Sequence, residues 1–577
     1  MSRRLNLVLG VLIALILIGG SAFLLYHHLE NKAANGRLRL DDAEINYDTL
    51  LRDRLKTNSD PESQSSASVF FSASAINSVL SGANTLKLEL PSSNGTYVLI
   101  RSVQTNFRDG FPEIVAKLTI SRDHPAMTLD ANLTGVLEPR LDKSDASVLL
   151  FYIHPLSIEV GLPKQVISKD ATQVASDLLS KLALVYTDHL PHFQVPLSKD
   201  FDVAFPVSKA ATPVLTQAGK LNGELDIPGL SFHTALSLSG LVFLSDGIHM
   251  YLSAKTGPSA DKEASSLLPF MKRLSARGFS SEEETKSLIK TEDANIAAIQ
   301  SELEKLTSSI KVNNADFRIW VSKDLLMQVA EVFNSLTPDQ RRIHFHTLSE
   351  EGQLYRAGGG GLGCGGYAEL VGGNSANANL QVANLVPSWK VGEGFTESAD
   401  FQFAFDAQVT GHVNGPAGPH PTWVLNCVHL PLVNKDVCTN LPSVTVSCET
   451  PVGGGIGLGS YGIHGDRTER LTAAVSLHSD SSSWLDYDLK VLSPNQVPIT
   501  IQIGMGQLGT LGLPFAFDVP HQALMSGKAP LLFSQSGIIE SPNGSFSKKY
   551  SISATPSSGT VGTNGYAAVG TIRIQWQ

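Results

Sequence analysis

Two stretches of the chain repeat one local pattern, and that pattern limits the fold more than anything else in the sequence. "VFFSASAINSVLSGANTL" begins at Val69 and "IWVSKDLLMQVAEVFNSL" begins at Ile319, 250 positions later. Each passes from alternating apolar residues through a serine into helical spacing and closes on Asn-x-Leu. At that one offset Ile319 and Val321 fall on Val69 and Phe71, Ser322 on Ser72, Leu326 on Ile76, Val329 on Val79, Asn334 on Asn84, and Leu336 on Leu86. Ser72 is a candidate N-cap, because its hydroxyl can accept from an orphan amide of the next turn. Ile76, Val79 and Leu80 then recur at helical spacing, as Leu326, Val329 and Phe333 do in the second copy. A second pair, "LVFLSDGI" (Leu241–Ile248) and "LLFSQSGI" (Leu531–Ile538), is in register at an offset of 290. An insertion of 40 residues in the second copy gives that drift. The reading is a duplicated module; the alternative is chance recurrence of a common strand–Ser–helix grammar.

Around each motif the pattern is mostly of period two. In Ile114–Ser121 the residues Ile114, Ala116, Leu118 and Ile120 fall on one side, with Lys117, Thr119 and Ser121 on the other. Thr96–Val103, Met127–Pro139, Ala146–Pro163 and Ser237–Ala254 continue the trend. Lys169–Leu190 reads as an amphipathic helix with Val174, Leu178, Leu179 and Leu182 on its apolar face, and Ser280–Leu306 as a helical connector. The fold class is therefore α+β: two tandem modules of highly curved antiparallel sheet, each around a long helix. The 577 residues divide into a cytoplasmic stub and transmembrane anchor (1–26), a stalk and linker (27–68), module one (69–257), a helical connector (258–311) and module two (312–577). Within the stalk, Leu40, Tyr47, Leu51 and Leu55 have roughly helical spacing; a short amphipathic helix and a solvated spacer both fit. Thr57–Ser68 has the composition of a flexible linker.

The first 26 residues place the chain at a membrane. Leu5–Tyr26 carries no charge over 22 residues, about 33 Å as a helix, enough to cross a hydrocarbon core. Arg3 and Arg4 hold the N-terminus in the cytoplasm, so the body is expected outside, on the periplasmic or extracytoplasmic side of an inner membrane crossed once. A cleaved signal peptide, with Gly20-Ser21-Ala22 as the cleavage region, is the competing reading, although the apolar run continues past it. In a eukaryotic lumen Asn94 and Asn132 would sit in glycan acceptor triplets.

Composition narrows the partners. The net charge is −10 and no basic run follows the start, so a nucleic-acid partner is not expected. Cys364, Cys427, Cys438 and Cys448 lie within 85 residues, separated by 62, 10 and 9 residues, without a C-x-x-C pair. Two disulfides fit better than zinc, and three pairings stay open. These cysteines lie in the Gly/Cys-rich insertion of module two, around "AGGGGLGCGGYAELVGG" and Pro416–Gly459.

Catalytic signatures are absent from the sequence. There is no H-E-x-x-H, G-x-S-x-G or complete Walker loop. G-x-G-x-x-G occurs at Gly457–Gly462, at Gly504–Gly509 and within Gly358–Gly366, but none leads from a strand into a helical pattern. His344 and His346 alternate on one side of a predicted strand and read as solvent-facing. Asp123-His124 and Asp188-His189 read as surface or turn residues. No cofactor, metal or catalytic activity is expected.

Together "FFSASAINSVL", "WVSKDLLMQVAEVFNSL" and "IPGLSFHTALSLSGLVFLSDGI" (Ile227–Ile248) resemble the tubular lipid-binding (TULIP-type) domains. The resemblance covers Val69–Ala254 and Asn314–Gln577 and departs from the family at the Gly/Cys-rich insertion. It implies a curved sheet wrapped around a helix, tandem modules and a lipid held in the resulting tube. Eight buried methylenes would contribute about 6 kcal/mol before the costs of binding. The expected function is a membrane-anchored, non-catalytic envelope protein that binds a lipid or other apolar ligand. Its candidate contacts are Ile76, Val79, Leu80, Leu326, Val329 and Phe333. The alternative is a structural protein with fully packed modules and an envelope protein partner.

Overall fold

The computed structural model describes residues 37–57, 61–89, 96–161, 192–254, 281–357 and 367–577, apart from internal stretches of which the longest are 415–425 and 440–455. The apolar segment Leu5–Tyr26, the helix expected over Lys169–Leu190, and Cys364 and Cys448 lie outside the described residues. Among the described residues no helix is long and apolar enough to cross a membrane.

Four strands at the centre show how the repeated motifs are used: β1 (Ala67–Ser72), β2 (Gly247–Ala254), β3 (Phe317–Ser322) and β4 (Gly565–Trp576). The motif strands β1 and β3 lie side by side, antiparallel, with Val69 opposite Ile319 and Phe71 opposite Phe317. β2 pairs with the far edge of β1, and β4 with the far edge of β3. Ala67, Val69, Phe71, Phe317, Ile319 and Val321 are all buried. Covered on both faces, these strands read as near-continuous apolar runs.

Hydrogen bonds around the β1–β3 seam come in equivalent pairs. The Ser72 amide donates to the Asp316 carbonyl at 2.8 Å, and the Ser322 amide to the Ser66 carbonyl at 2.9 Å. The Ala73 amide donates to the Asp246 carbonyl, and the Lys323 amide to the Asn564 carbonyl, both at 2.8 Å. Ala254 N–H donates to Ser66 Oγ at 2.9 Å, and Ile572 N–H to Asp316 Oδ2 at 3.1 Å. Both motif serines cap their helices: Ser72 Oγ accepts from Ala75 N–H and Ser322 Oγ from Leu325 N–H. Asn84 Oδ1 accepts from Val103 N–H and Asn334 Oδ1 from Leu385 N–H, so each helix is tied at its far end to a strand of its own sheet. An approximate two-fold axis between β1 and β3 relates these bonds.

The second sequence anchor is corrected by the same geometry. Gly247 stands opposite Ser72, and the residue opposite Ser322 is Gly565, not Gly537. A Cβ on Gly247 would lie 2.0 Å from the Phe71 carbonyl oxygen, and one on Gly565 2.1 Å from that of Val321. Gly537 serves a different end, making room for the Tyr550 ring. The true shift between the halves is 318 at this point, and the "LLFSQSGI" match reflects only a shared apolar string.

Each half then builds a curled antiparallel sheet. The first runs through Thr96–Thr105, Glu113–Arg122, Met127–Leu141, Val148–Gly161 and His192–Pro196, each paired with the next, and the alternation places the first four of them. Its last strand joins Ser536–Glu540, which leads through Ser547–Val561 to β4. The second runs through Asn377–Lys390, Gly394–Asn414, Ile456–His478, Asp486–Ser493 and Met525–Lys528. It meets Asp200–Phe205, which leads through Leu230–Leu244 to β2. Each curled sheet is closed by strands from the other half of the chain.

Four α-helices accompany the sheets among the described residues: α1 (37–57), α2 (Ala73–Leu80), α3 (Glu282–Thr307) and α4 (Lys323–Ser335). The motif helices are shorter than the long helix expected. α2 spans eight residues, tightens into a 3-10 turn at Ser81–Ala83 and stops at Thr85, which holds φ 69°. Trp576 lies against Gly82 at this end, leaving no space even for a Cβ.

The stalk differs from a free spacer wherever it is described. Ala43 and Tyr47 of α1 pack on Phe111, Val136 and Leu156, while Leu51 and Leu55 pack on Val242, Leu244, Tyr251 and Leu303. The linker contributes a 3-10 turn, Pro61–Gln64, whose Glu62 carboxylate accepts from both terminal nitrogens of Arg318 on β3. The apolar stripe and the bidentate pair account for the docking.

Candidate functional site

The helix–sheet interiors are the site that the repeated motifs build. Ile76, Val79 and Leu80 of α2 point into one apolar cluster with Val98, Ile100, Ile114, Leu118, Ile120 and Leu133 of the first curled sheet. Leu326 and Val329 of α4 enter the same cluster. These five positions are 0–5% exposed. The Phe333 side chain lies outside the described residues, although its backbone is in α4. Sequence reasoning missed Leu325 and Phe533, which are also buried here. Phe533 makes edge contacts with Phe71 at 4.9 Å and Phe317 at 6.0 Å, joining the two motif strands through one ring. Nothing in the local pattern around Phe533 separates it from any strand-end aromatic.

Polar groups close this interior at its ends. Asn77 Oδ1 accepts from the Thr105 amide at 2.5 Å and from its hydroxyl at 3.0 Å. Tyr550 donates to the Gln194 carbonyl at 2.6 Å, bridging the junction between the halves. Tyr566 donates to the Trp484 carbonyl at 3.1 Å. Burial raises the Tyr550 phenol, and burial also pushes the Tyr566 phenol up to about 12. Both therefore remain neutral donors at physiological pH.

A second concentration of polar groups lies under α1. Asp41, Glu44 and Asp48 are buried, with Arg108, Asp109, Glu113, Gln300 and Lys311 around them. Desolvation is the main cause that raises all three, Asp41 to about 6, Glu44 to about 8 and Asp48 to about 7. Asp109 goes the other way. Burial would raise it, but hydrogen bonds from Lys311 and Ser245 together hold it below the usual carboxylate range.

On the surface, Asp200, Asp202 and His233 bring three ligand atoms within 4.8 Å of one another. His233 Nδ1 lies 2.6 Å from Asp202 and Nε2 3.6 Å from Asp200, and the bond to Asp202 raises the imidazole. The trio is largely exposed and reads as a surface ion pair across neighbouring strands. His344 is exposed on its strand. Gly457–Gly462 lies inside the strand Ile456–His478, which removes the phosphate-loop geometry. Cys427 and Cys438 are direct cross-strand partners in a two-stranded ribbon, Asn426–Leu430 with Lys435–Thr439.

No family model and no curated protein matches the chain. Among solved structures, P47 from Clostridium botulinum A2 is similar at 9% identity over 88% of this chain and 98% of that one, with a TM-score of 0.25. A lipopolysaccharide binding protein is similar at 8% identity over 88% and 99%, with a TM-score of 0.20. Both superpositions are too loose to fix a fold or a ligand.

Proposed function

We propose that the chain is a non-catalytic binding protein that holds a lipid or other apolar ligand against the inner faces of its curled sheets. One observation supports this reading: the apolar inner face runs about twice as far as the motif helix α2 that lies against it. In Met127–Leu141 the inward-facing Leu129, Ala131, Leu133 and Leu137 span about 27 Å along the strand. α2 is eight residues long, about 12 Å. Ile76, Val79, Leu80, Leu326 and Val329 would form the closed ends against which the ligand abuts, and Phe333 stays a candidate contact from the sequence alone. The segment Leu5–Tyr26 would anchor the body outside the cytoplasm, in a cell envelope, with the cysteines of the insertion paired as disulfides.

A second reading is a structural or interaction protein of the envelope with solid modules. The near-complete burial of Ile76, Val79, Leu80, Leu326 and Val329 favours it. Native mass spectrometry of the full chain, released from mild detergent, separates the two. Co-purified lipid, or uptake of a fluorescent fatty acid by the delipidated protein, supports the binding reading. A clean mass with no uptake refutes it in favour of the packed one.

A further inference from the structure

We infer that α1 is a proton-operated latch: it docks on the body when carboxyl groups at its interface are protonated and loosens as they ionise. α1 presents Asp41, Glu44 and Asp48 at helical spacing on its buried face, at 6%, 1% and 0% exposure. The turn between Thr96–Thr105 and Glu113–Arg122 contributes Asn106, Arg108 and Asp109, and the following strand Glu113. α3 contributes Glu292, Asp293, Gln300 and Thr307; Lys311 follows it, and Glu138 comes from Met127–Leu141. Arg37, 2.8 Å from Asp293 and 3.8 Å from Asp41, and the partly buried Arg39 are further cations at the start of the described helix.

The cations do not reach every acid. Lys311 is committed to Asp109 Oδ2 at 2.7 Å, where Thr307 also donates, and the Ser245 amide donates to Oδ1. Arg108 serves two carboxylates, Glu44 at 2.6 Å and Glu113 at 3.8 Å, and its close approach to Glu44 is not aligned as a hydrogen bond. Glu113 also accepts from Asn106 at 2.6 Å. Asp48 meets no cation at contact distance: Gln300 donates to Oδ2 at 2.5 Å, and Oδ1 lies against Gly110 with no donor. Gly110 is fixed here on two counts, by φ +87° and because a Cβ would lie 2.3 Å from that oxygen. A buried carboxylate oxygen left without a donor is costly, and protonation lowers that cost.

The sign follows from the raised values of Glu44 and Asp48. The docked state holds protons that the freed helix, with ordinary carboxyls, releases. Docking is therefore firmest below about pH 4 and weakens as pH rises toward the docked values of about 7 and 8. Because only ten residues separate Tyr26 from the described start of α1, the latch would govern how closely the body is held to whatever the apolar segment enters.

Hydrogen exchange of the full-length chain, read by mass spectrometry on peptides covering 37–57 and corrected for the intrinsic pH dependence of exchange, tests the inference. Protection of these peptides is expected to fall at least about tenfold between pH 5.5 and pH 8.5, while peptides of β1 and β3 stay unchanged. The double variant Glu44→Gln, Asp48→Asn imitates the protonated pair and should flatten the profile, with α1 still protected at pH 8.5. Asp53→Asn on the exposed side of the same helix should leave the wild-type profile intact. Protection in the wild type that does not change with pH overturns the inference without recourse to any variant. A fall that persists in the double variant overturns it as well.

Discussion

Replacing Gly247 or Gly565 by alanine tests whether the two halves are built alike. Each glycine stands on the last rung beside a motif serine, where its neighbour's carbonyl oxygen occupies the place of a Cβ. The gaps would be 2.0 Å to Phe71 and 2.1 Å to Val321, against ordinary contacts of 3.4–4 Å. The strands must therefore part by more than 1 Å at a point that also carries the 2.8 Å bonds from Ala73 to Asp246 and from Lys323 to Asn564. Overpacking of this kind costs about 1–3 kcal/mol and a weakened backbone bond about 1 kcal/mol more. Each variant should lose roughly 2–4 kcal/mol. Urea unfolding measures the loss, and hydrogen exchange over β1–α2 and β3–α4 locates it. In both variants the nearest helix N-terminus should lose protection first. Gly537→Ala is the contrast: it displaces Tyr550 and should loosen the contact with Gln194 while sparing both helix starts. A cost at one of the twin glycines and none at the other would refute the equivalence of the halves.

Two further substitutions probe the motif ends. Ser72→Ala and Ser322→Ala should each cost about 1 kcal/mol, the usual value of an N-cap, and similar costs in urea titrations would mark the caps as equivalent. Thr85→Gly should raise stability by up to about 1 kcal/mol, because a β-branched residue at φ 69° is strained and glycine is not; a lower denaturation midpoint would contradict this.

The short-range features of this chain are legible in its sequence because their causes are local. A hydroxyl before an apolar helical repeat produced two capped helices, and period-two alternation placed the strands of the first curled sheet within a few residues. The α2 terminus was hidden, because it depends on Trp576, at the opposite end of the chain, lying over Gly82. The pairing of Gly247 with Gly565 was equally hidden. Two glycines that admit a neighbour's carbonyl leave no mark in local composition, whereas "LLFSQSGI" supplies a misleading string of matches. Glu44 and Asp48 read as the polar side of a stalk. Their burial depends on Arg108 and Gln300, which come from two separate segments, and only the fold assembles them.

The reciprocal closure of the sheets limits what can be cut. Tandem modules joined only by a connector would survive separation, each keeping its own core. Here β1 takes β3 as its neighbour, His192–Pro196 is continued by Ser536–Glu540, and Asp200–Phe205 is met by Lys528. Residues 61–257 alone would expose one edge of β1 between Ala67 and Phe71, buried in the whole chain, and would leave His192–Pro196, Asp200–Phe205, Val214–Thr216 and Gly223–Ile227 without their partners from the other half. An unpaired apolar edge of this kind recruits other chains. The isolated half should therefore associate or precipitate, and adding residues 312–577 in trans should restore a defined heterodimer on gel filtration. A half that stays monomeric, with β1 protected from exchange, would show that the strand exchange is dispensable and that the halves fold independently.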